Sequence, residues 1–292
     1  DFCLSRGLGD VYKRQVLKTY EAYGKDGADA TESVEDVPGT EEQISTETGA
    51  GTTGQVLQNT PIENVSSLDA TSHDWGLGSH TDDENRPLDA INAQETYGKY
   101  NAYFIGDDTK DIYLTFDEGY EYGQTESILN TLKEKGVSAT FFVTEPYAKD
   151  NPDLVRRMID EGHVLGNHSV THPSAGMPSL SLDKQENEVT ENHAYIKENF
   201  GYNMYLFRYP TGRFSEQSLA LLNNCNYKSI FWSFAYLDYD VNNQPDHASS
   251  LQKMKDKLHP GAIYLLHAES ETNAAVLGDF CLLYTSDAAD EL

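Results

Sequence analysis

Residues 111–120 read DIYLTFDEGY. Asp111–Phe116 has the β-branched and aromatic content of a buried strand, and two acids and a glycine follow it directly. Working outward, the same alternation recurs. Gln124–Lys135 sets Ile128, Leu129 and Leu132 on one side, as a helix does. Ser138–Val143 (SATFFV) is a second strand. Asn151-Pro152 starts a helix, with Asn as N-cap and Pro at the first helical position, and Leu154, Val155, Met158 and Ile159 form its apolar stripe. His163–Asn167 is a third strand. Leu182–Phe200 is a longer helix spaced by Val189, His193, Ile196 and Phe200. Strands at Asn203–Phe207, Lys228–Trp232 and Ala262–Leu266 alternate with helices at Ser215–Cys225, Ser249–Leu258 and from near Glu271. Alternating β and α segments predict an α/β fold of parallel strands with helical crossovers, either a parallel barrel or a doubly wound sheet.

Charge narrows the function. The 292 residues carry 48 Asp and Glu against 21 Lys and Arg, a formal charge of −27. Binding a phosphate backbone needs clustered Lys and Arg, so a nucleic-acid partner is excluded. No apolar run approaches the roughly 20 residues that span a bilayer. The composition permits a soluble enzyme.

The two ends read as foreign. Asp10–Gln15 is DVYKRQ and Cys281–Ser286 is CLLYTS. One short DNA duplex, translated on opposite strands, encodes both. Residues 1–15 and 281–292 are therefore expected to be a translated sequencing adapter and are set aside from fold reasoning. Cys225 is then the one native cysteine, so an internal disulfide or a cysteine metal cage is not expected. The native N-terminus is expected to lie outside the sequence, and the domain to be truncated at its C-terminus. Residues 16–72 hold 11 acidic residues, 2 basic ones and only Tyr20 and Tyr23 as aromatics. Such a stretch cannot bury enough apolar surface to offset its ordering entropy. Residues 16–87 are read as a disordered acidic linker, and 88–280 as the folded domain.

Titratable residues cluster just past the strand ends: Asp117 and Glu118, His168 and His172, Arg208, Asp238 and His267. In a parallel barrel these ends share one face. Each residue alone has an ordinary reading. Asp-Glu-Gly suits a turn, two histidines suit a loop, and His267 suits a core. The i, i+4 spacing of HSVTHP (168–173) also suits two imidazoles on one transition metal. His163, His193, His247 and His259 lack such company and are read as structural.

Taken together, TFDEGY (115–120), HSVTHP (168–173), RYPTG (208–212), WSFAYLDY (232–239) and LLH (265–267) resemble the polysaccharide deacetylase family, the NodB homology or carbohydrate esterase family 4 group. Within it, YLTFDEGYEYG, FFVTEPY, EGHVLGNHS, SHDWGLG (72–78) and YGKYNAYFIGD (97–107) are similar to the delta-lactam-biosynthetic peptidoglycan de-N-acetylases. The resemblance implies a distorted (β/α)7-type barrel. It matches Asp117 to the general base, His267 to the general acid, and His168 and His172 to metal ligands. Arg208 matches the arginine that orients the base, with Asp238 as its acidic partner. It matches the backbone N–H near Thr211 to the oxyanion site. Tyr120, Tyr209, Pro210, Thr211, Tyr236 and Leu266 match substrate-binding positions. A third ligand, aspartate in most of the family, is Glu118 here, one methylene longer.

The expectation is a hydrolase that uses a divalent metal, zinc, to remove the N-acetyl group of a peptidoglycan amino sugar, N-acetylmuramic acid first. Other family substrates are peptidoglycan N-acetylglucosamine, chitin oligomers and acetyl xylan. The rival from another class is an inactive carbohydrate-binding domain. The expected partner is the glycan strand, which places the protein outside the cytoplasm, secreted or membrane-anchored.

Overall fold

The computed structural model describes residues 53–285. Residues 1–52 and 286–292, with the adapter and linker readings that fall on them, lie outside the described residues. The main sheet has seven parallel strands: β2 (Ala102–Tyr103), β3 (Ile112–Glu118), β4 (Thr140–Val143), β5 (Val164–Asn167), β6 (Leu206–Phe207), β8 (Lys228–Ile230) and β9 (Ala262–His267). Their spatial order is β2-β8-β6-β5-β4-β3-β9. The sheet curls into a distorted barrel rather than lying open. Its two edges are bridged beyond the strands. Gly106 N–H donates to Gly261 O at 2.7 Å, and Leu265 N–H to Phe234 O at 2.9 Å.

Strand alternation divides the apolar residues. Tyr113, Phe142, Leu206, Ile230 and Ile263 fill the barrel interior. Leu114, Phe116, Phe141 and Leu266 face outward, into the layer under the helices. Gly166 makes room inside, because a Cβ there would lie 2.4 Å from the Phe142 ring.

The crossover helices are α2 (Thr125–Lys135), α3 (Glu145–Asp150), α4 (Pro152–Asp160), α5 (Leu182–Phe200), α6 (Glu216–Asn224) and α7 (His247–Asp256). Ser215 and Ser218 form a reciprocal capping box that starts α6. Asn151 holds the N-cap position of α4 but not the expected role. Its side chain donates back to Tyr147 O at 3.1 Å, closing α3 instead. The last helix, α8 (Glu271–Thr285), passes through the sequence boundary at residue 280. Val276, Leu277, Phe280 and Cys281 lie on one face and are buried, so Cys281 extends the apolar stripe.

The linker reading fails from residue 53 onward. This segment is polar overall, and it is ordered by hydrogen bonds to distant residues together with a few apolar side chains, Ile62, Val65, Leu68, Trp75 and Leu77, that pack on the core. Asn59 Nδ2 donates to Asn223 O and Tyr227 O, and Asn224 Oδ1 accepts from Ile62 N–H. β1 (His73–Asp74) pairs antiparallel with β7 (Arg213–Phe214). Trp75 donates its indole N–H to Trp232 O at 3.0 Å and meets the Phe104 ring edge-on at 4.6 Å. Helix α1 (Leu88–Tyr97) then leads into β2. The folded unit therefore begins well before residue 88. Trp75→Ala is expected to cost about 3 kcal/mol in urea unfolding, as core Trp truncations do. An unchanged midpoint would mean that residues 53–87 do not belong to the folded unit.

Candidate active site

Alternation along β3 determines what reaches the barrel mouth. Thr115 and Asp117 point inward, where Arg208, at the end of β6, is fully buried. Its guanidinium donates to Thr115 Oγ1 (2.7 Å), Asp117 Oδ1 (3.1 Å), Ile230 O (3.1 Å) and Phe231 O (3.1 Å). It also lies over the Phe142 ring at 4.4 Å. A buried charge is tolerated only when so satisfied. The arrangement fixes the direction of the Asp117 carboxylate. Thr115 could have been found in the sequence, two residues before Asp117 on the same face.

The second acid behaves otherwise than expected. Asp238 is not on the far side of Arg208; it holds His267. Asp238 Oδ1 accepts from His267 Nδ1 at 2.8 Å, and Oδ2 accepts from His267 N–H at 2.9 Å. Asn273, in the first turn of α8, donates to Asp238 Oδ2 at 2.6 Å and to His267 O at 2.9 Å. The loop after β8 curls over β9 rather than back over β6, which is invisible in linear sequence. Asn273 carried no sequence signal. Burial disfavours the imidazolium, but the hydrogen bond and charge of Asp238 outweigh it and push His267 up to about 9. Asp117 and His267 are register partners on adjacent strands.

His168 is buried and His172 exposed, with ring centroids 4.8 Å apart. His168 Nδ1 lies 2.9 Å from Arg208 O. A carbonyl only accepts, so Nδ1 carries the proton and Nε2 keeps its lone pair. Burial pushes His168 down to about 4, so it is neutral at ordinary pH. Its Nε2 is 3.5 Å from Asp117 Oδ2. Two neutral imidazoles beside a carboxylate suit a divalent metal as donors.

Glu118 does not join them. Adjacent to Asp117, it projects from the opposite face of β3, is fully buried, and neither carboxyl oxygen has a hydrogen-bond partner among the described residues. No group of three or more His, Cys, Asp or Glu side chains among the described residues is placed to hold an ion. Burial raises the Glu118 pKa well above the ordinary value, and the charges of Glu269 and Glu121 add to it. Glu269, which the sequence reading did not single out, is pushed up to about 7, chiefly by burial.

The expected substrate residues divide. Tyr120 is 73% exposed on the β3–α2 loop, Thr211 is exposed, and Tyr236 is half-buried. Tyr209, Pro210 and Leu266 are buried. Tyr209 stacks on Phe231, and Leu266 faces the helix layer, so their side chains serve packing. Thr211 has φ 61, and a Cβ on the next residue, Gly212, would lie 2.6 Å from Trp232. Tyr239, 54% exposed, sets its ring 5.6 Å from that of His267. His163, His193 and His259 serve the fold: their Nδ1 atoms contact Ala139 N, Tyr227 Oη and Lys257 O respectively.

Residues 105–230 match the polysaccharide deacetylase family. The chain belongs to that family. It is 42% identical over 182 residues to the peptidoglycan-N-acetylmuramic acid deacetylase PdaA of Bacillus subtilis, covering 62% of this chain and 69% of that one. The solved structure of B. subtilis PdaA, a family 4 carbohydrate esterase, matches with a TM-score of 0.68 at 36% identity, covering 73% and 91%. A chitooligosaccharide deacetylase of Rhizobium leguminosarum bv. trifolii is 35% identical over 163 residues, covering 56% and 73%. The chain is thus a hydrolase of the carbohydrate esterase type, and the parallel barrel is the family's fold. In this deacetylase no described helix is long and apolar enough to cross a membrane.

Two predictions follow from the site. Asp238→Asn removes the charge that raises His267 while burial remains. The alkaline limb of kcat/KM, expected near pH 9 for an imidazolium acid, should move to lower pH; an unmoved limb would dissociate His267 from it. Glu118→Gln should gain stability relative to wild type on going from pH 4 to pH 7, because a buried amide needs no proton to be neutral. The raised carboxyl must keep its proton on folding. The gain should therefore grow as pH rises above 4.5, the ordinary glutamate value, and vanish below it. Denaturation curves at pH 4 and 7 check this.

Proposed function

We propose that this deacetylase hydrolyses the N-acetyl group of N-acetylmuramic acid in peptidoglycan, outside the cytoplasm, with zinc held by His168 and His172. One observation carries the chemistry. Asp117 and His267 flank one strand boundary, and each is held by its own buried partner of opposite charge, Arg208 and Asp238. A domain that only bound glycan would have no use for the His267–Asp238 tether beside a second held carboxylate. The substrate rests on the likeness to PdaA.

Hydrolysis needs a water deprotonated on one side of the amide and a leaving amine protonated on the other. The Asp117 carboxylate is the base. Arg208 holds Oδ1, leaving Oδ2 toward His168 and the barrel mouth. His267 is the acid. Its Nδ1–H is committed to Asp238, so Nε2 faces the leaving nitrogen. Because Asp238 keeps the ring protonated, the proton is available at neutral pH. The turn at Thr211 offers backbone N–H to the developing oxyanion. A bound divalent ion would supply Lewis acidity at the carbonyl. Glu118 holds no ligand role in this reading. Tyr120 and Tyr239 offer exposed aromatic faces on which a sugar ring can rest.

The test is mass spectrometry of purified muropeptides and chitin oligomers after incubation with zinc-loaded protein. Loss of one acetyl group from the muramic residue is expected, with nearly all turnover lost in Asp117→Asn while zinc binding is retained. Loss from N-acetylglucosamine or chitin instead would reassign the substrate. Unchanged masses with retained glycan binding would make the domain a binder.

A further inference from the structure

The two candidate ligands sit on a loop that its own residues disfavour. In HSVTHP, Ser169 has φ 72 and His172 φ 48, left-handed backbone that side chains other than glycine avoid. No glycine relieves either position. Something must hold this loop, and two of the holding groups, Glu188 and Asn192, come from one helix.

We propose that Glu188 of α5 is the positioning residue of the metal site, acting on the backbone of the 168–172 loop rather than on the ion. Its Oε2 accepts from two consecutive backbone N–H groups, Val170 at 2.9 Å and Thr171 at 2.7 Å, and its Oε1 from Thr171 Oγ1 at 2.6 Å. Glu188 is 9% exposed, and among the described residues no Lys, Arg or His forms an ion pair with it. Its carboxylate is therefore satisfied by the loop itself, in the way consecutive N–H groups cradle an anion. One turn along, Asn192 Nδ2 donates to Ser169 O at 3.1 Å, while Ser169 N–H donates to Asn167 Oδ1 at 2.9 Å. His172 N–H closes the loop on Ser169 Oγ at 3.0 Å. The N-terminal half of the loop is thus pinned by Asn167 and Asn192. Its C-terminal half, which carries His172, is pinned by Glu188. Without that carboxylate the two N–H groups lose their partner, His172 can leave the left-handed region, and its ring no longer faces His168.

The inference rests on the reading of His168 and His172 as ligands, and zinc titration of the full chain separates the two. Wild type, Glu188→Ala, Glu188→Gln, His172→Ala and the Glu188→Ala/His172→Ala double variant are titrated with zinc by calorimetry. Glu188→Ala should weaken binding at least tenfold, about 1.4 kcal/mol. Glu188→Gln should stay within about threefold of wild type, because its amide oxygen can accept from the same two N–H groups. The double variant should bind no more weakly than His172→Ala alone, since Glu188 would act only through that ring. Wild-type affinity in Glu188→Ala, equal losses in the Gln and Ala variants, or additive losses in the double variant would each overturn the proposal. Should Glu188→Ala not fold, Glu188→Asp, whose carboxylate is withdrawn by one methylene, replaces it with the same expected loss; wild-type affinity there is equally fatal. No zinc binding by folded wild type would overturn the ligand reading, and with it this inference.

Discussion

The guanidinium of Arg208 is the constraint on which the barrel turns. A full positive charge lies inside a β-barrel with no exposed surface. It is tolerable because its hydrogen bonds reach two other strand systems: Thr115 and Asp117 on β3, and the carbonyls of Ile230 and Phe231 at the end of β8. Those acceptors exist at the right places only in one register. A slip of one residue on β3 would put Leu114 and Phe116 in the places of Thr115 and Asp117 and leave the charge unpaired, or, in the other direction, would put Phe116 in place of Thr115 and remove one of its acceptors. The Arg208–Asp117 pair is thus a register device as well as a way of aiming a carboxylate.

The same alternation explains what was legible and what was not. Six of the seven barrel strands show in the sequence because each is a short apolar run followed by a polar residue. β2, two residues long, does not, since Ala102-Tyr103 is too short to declare itself. Asp117 and His267 were legible as strand-end residues. The opposite placement of Glu118 follows from the period of two, and a family pattern that puts an acid there masks it. Asp238 was singled out as the partner of Arg208 and is instead the partner of His267. It lies six residues past Trp232, at the end of a loop whose path decides whether it meets Arg208 or His267.

Residues 53–87 illustrate a different limit. Composition measures what a segment can bury on its own. Asn59 and Trp75 are ordered by groups more than 150 residues away in sequence, among them Tyr227 O and Trp232 O. Hydrophobic content cannot report such contacts. SHDWGLG carried the only local hint, because its Trp has an apolar body and one N–H to satisfy.

Two charge pairs and one isolated carboxyl complete the electrostatics. Arg208 with Asp117, and His267 with Asp238, each place a cation beside an anion, so the interior of a chain bearing a net −27 stays locally balanced. The pairs come from separate elements, yet Asp117 and His267 meet as register partners on β3 and β9. Adjacent strands lie about 4.8 Å apart. The sheet therefore holds the Asp117 carboxylate and the His267 imidazole close together, each backed by its own tether. Glu118, one residue away but on the other face, shares neither tether. Its buried charge would have no counter-ion, and protonation is the state that its surroundings favour. A single peptide unit thus separates a carboxylate that the fold pairs with a buried guanidinium from a carboxyl that it keeps neutral.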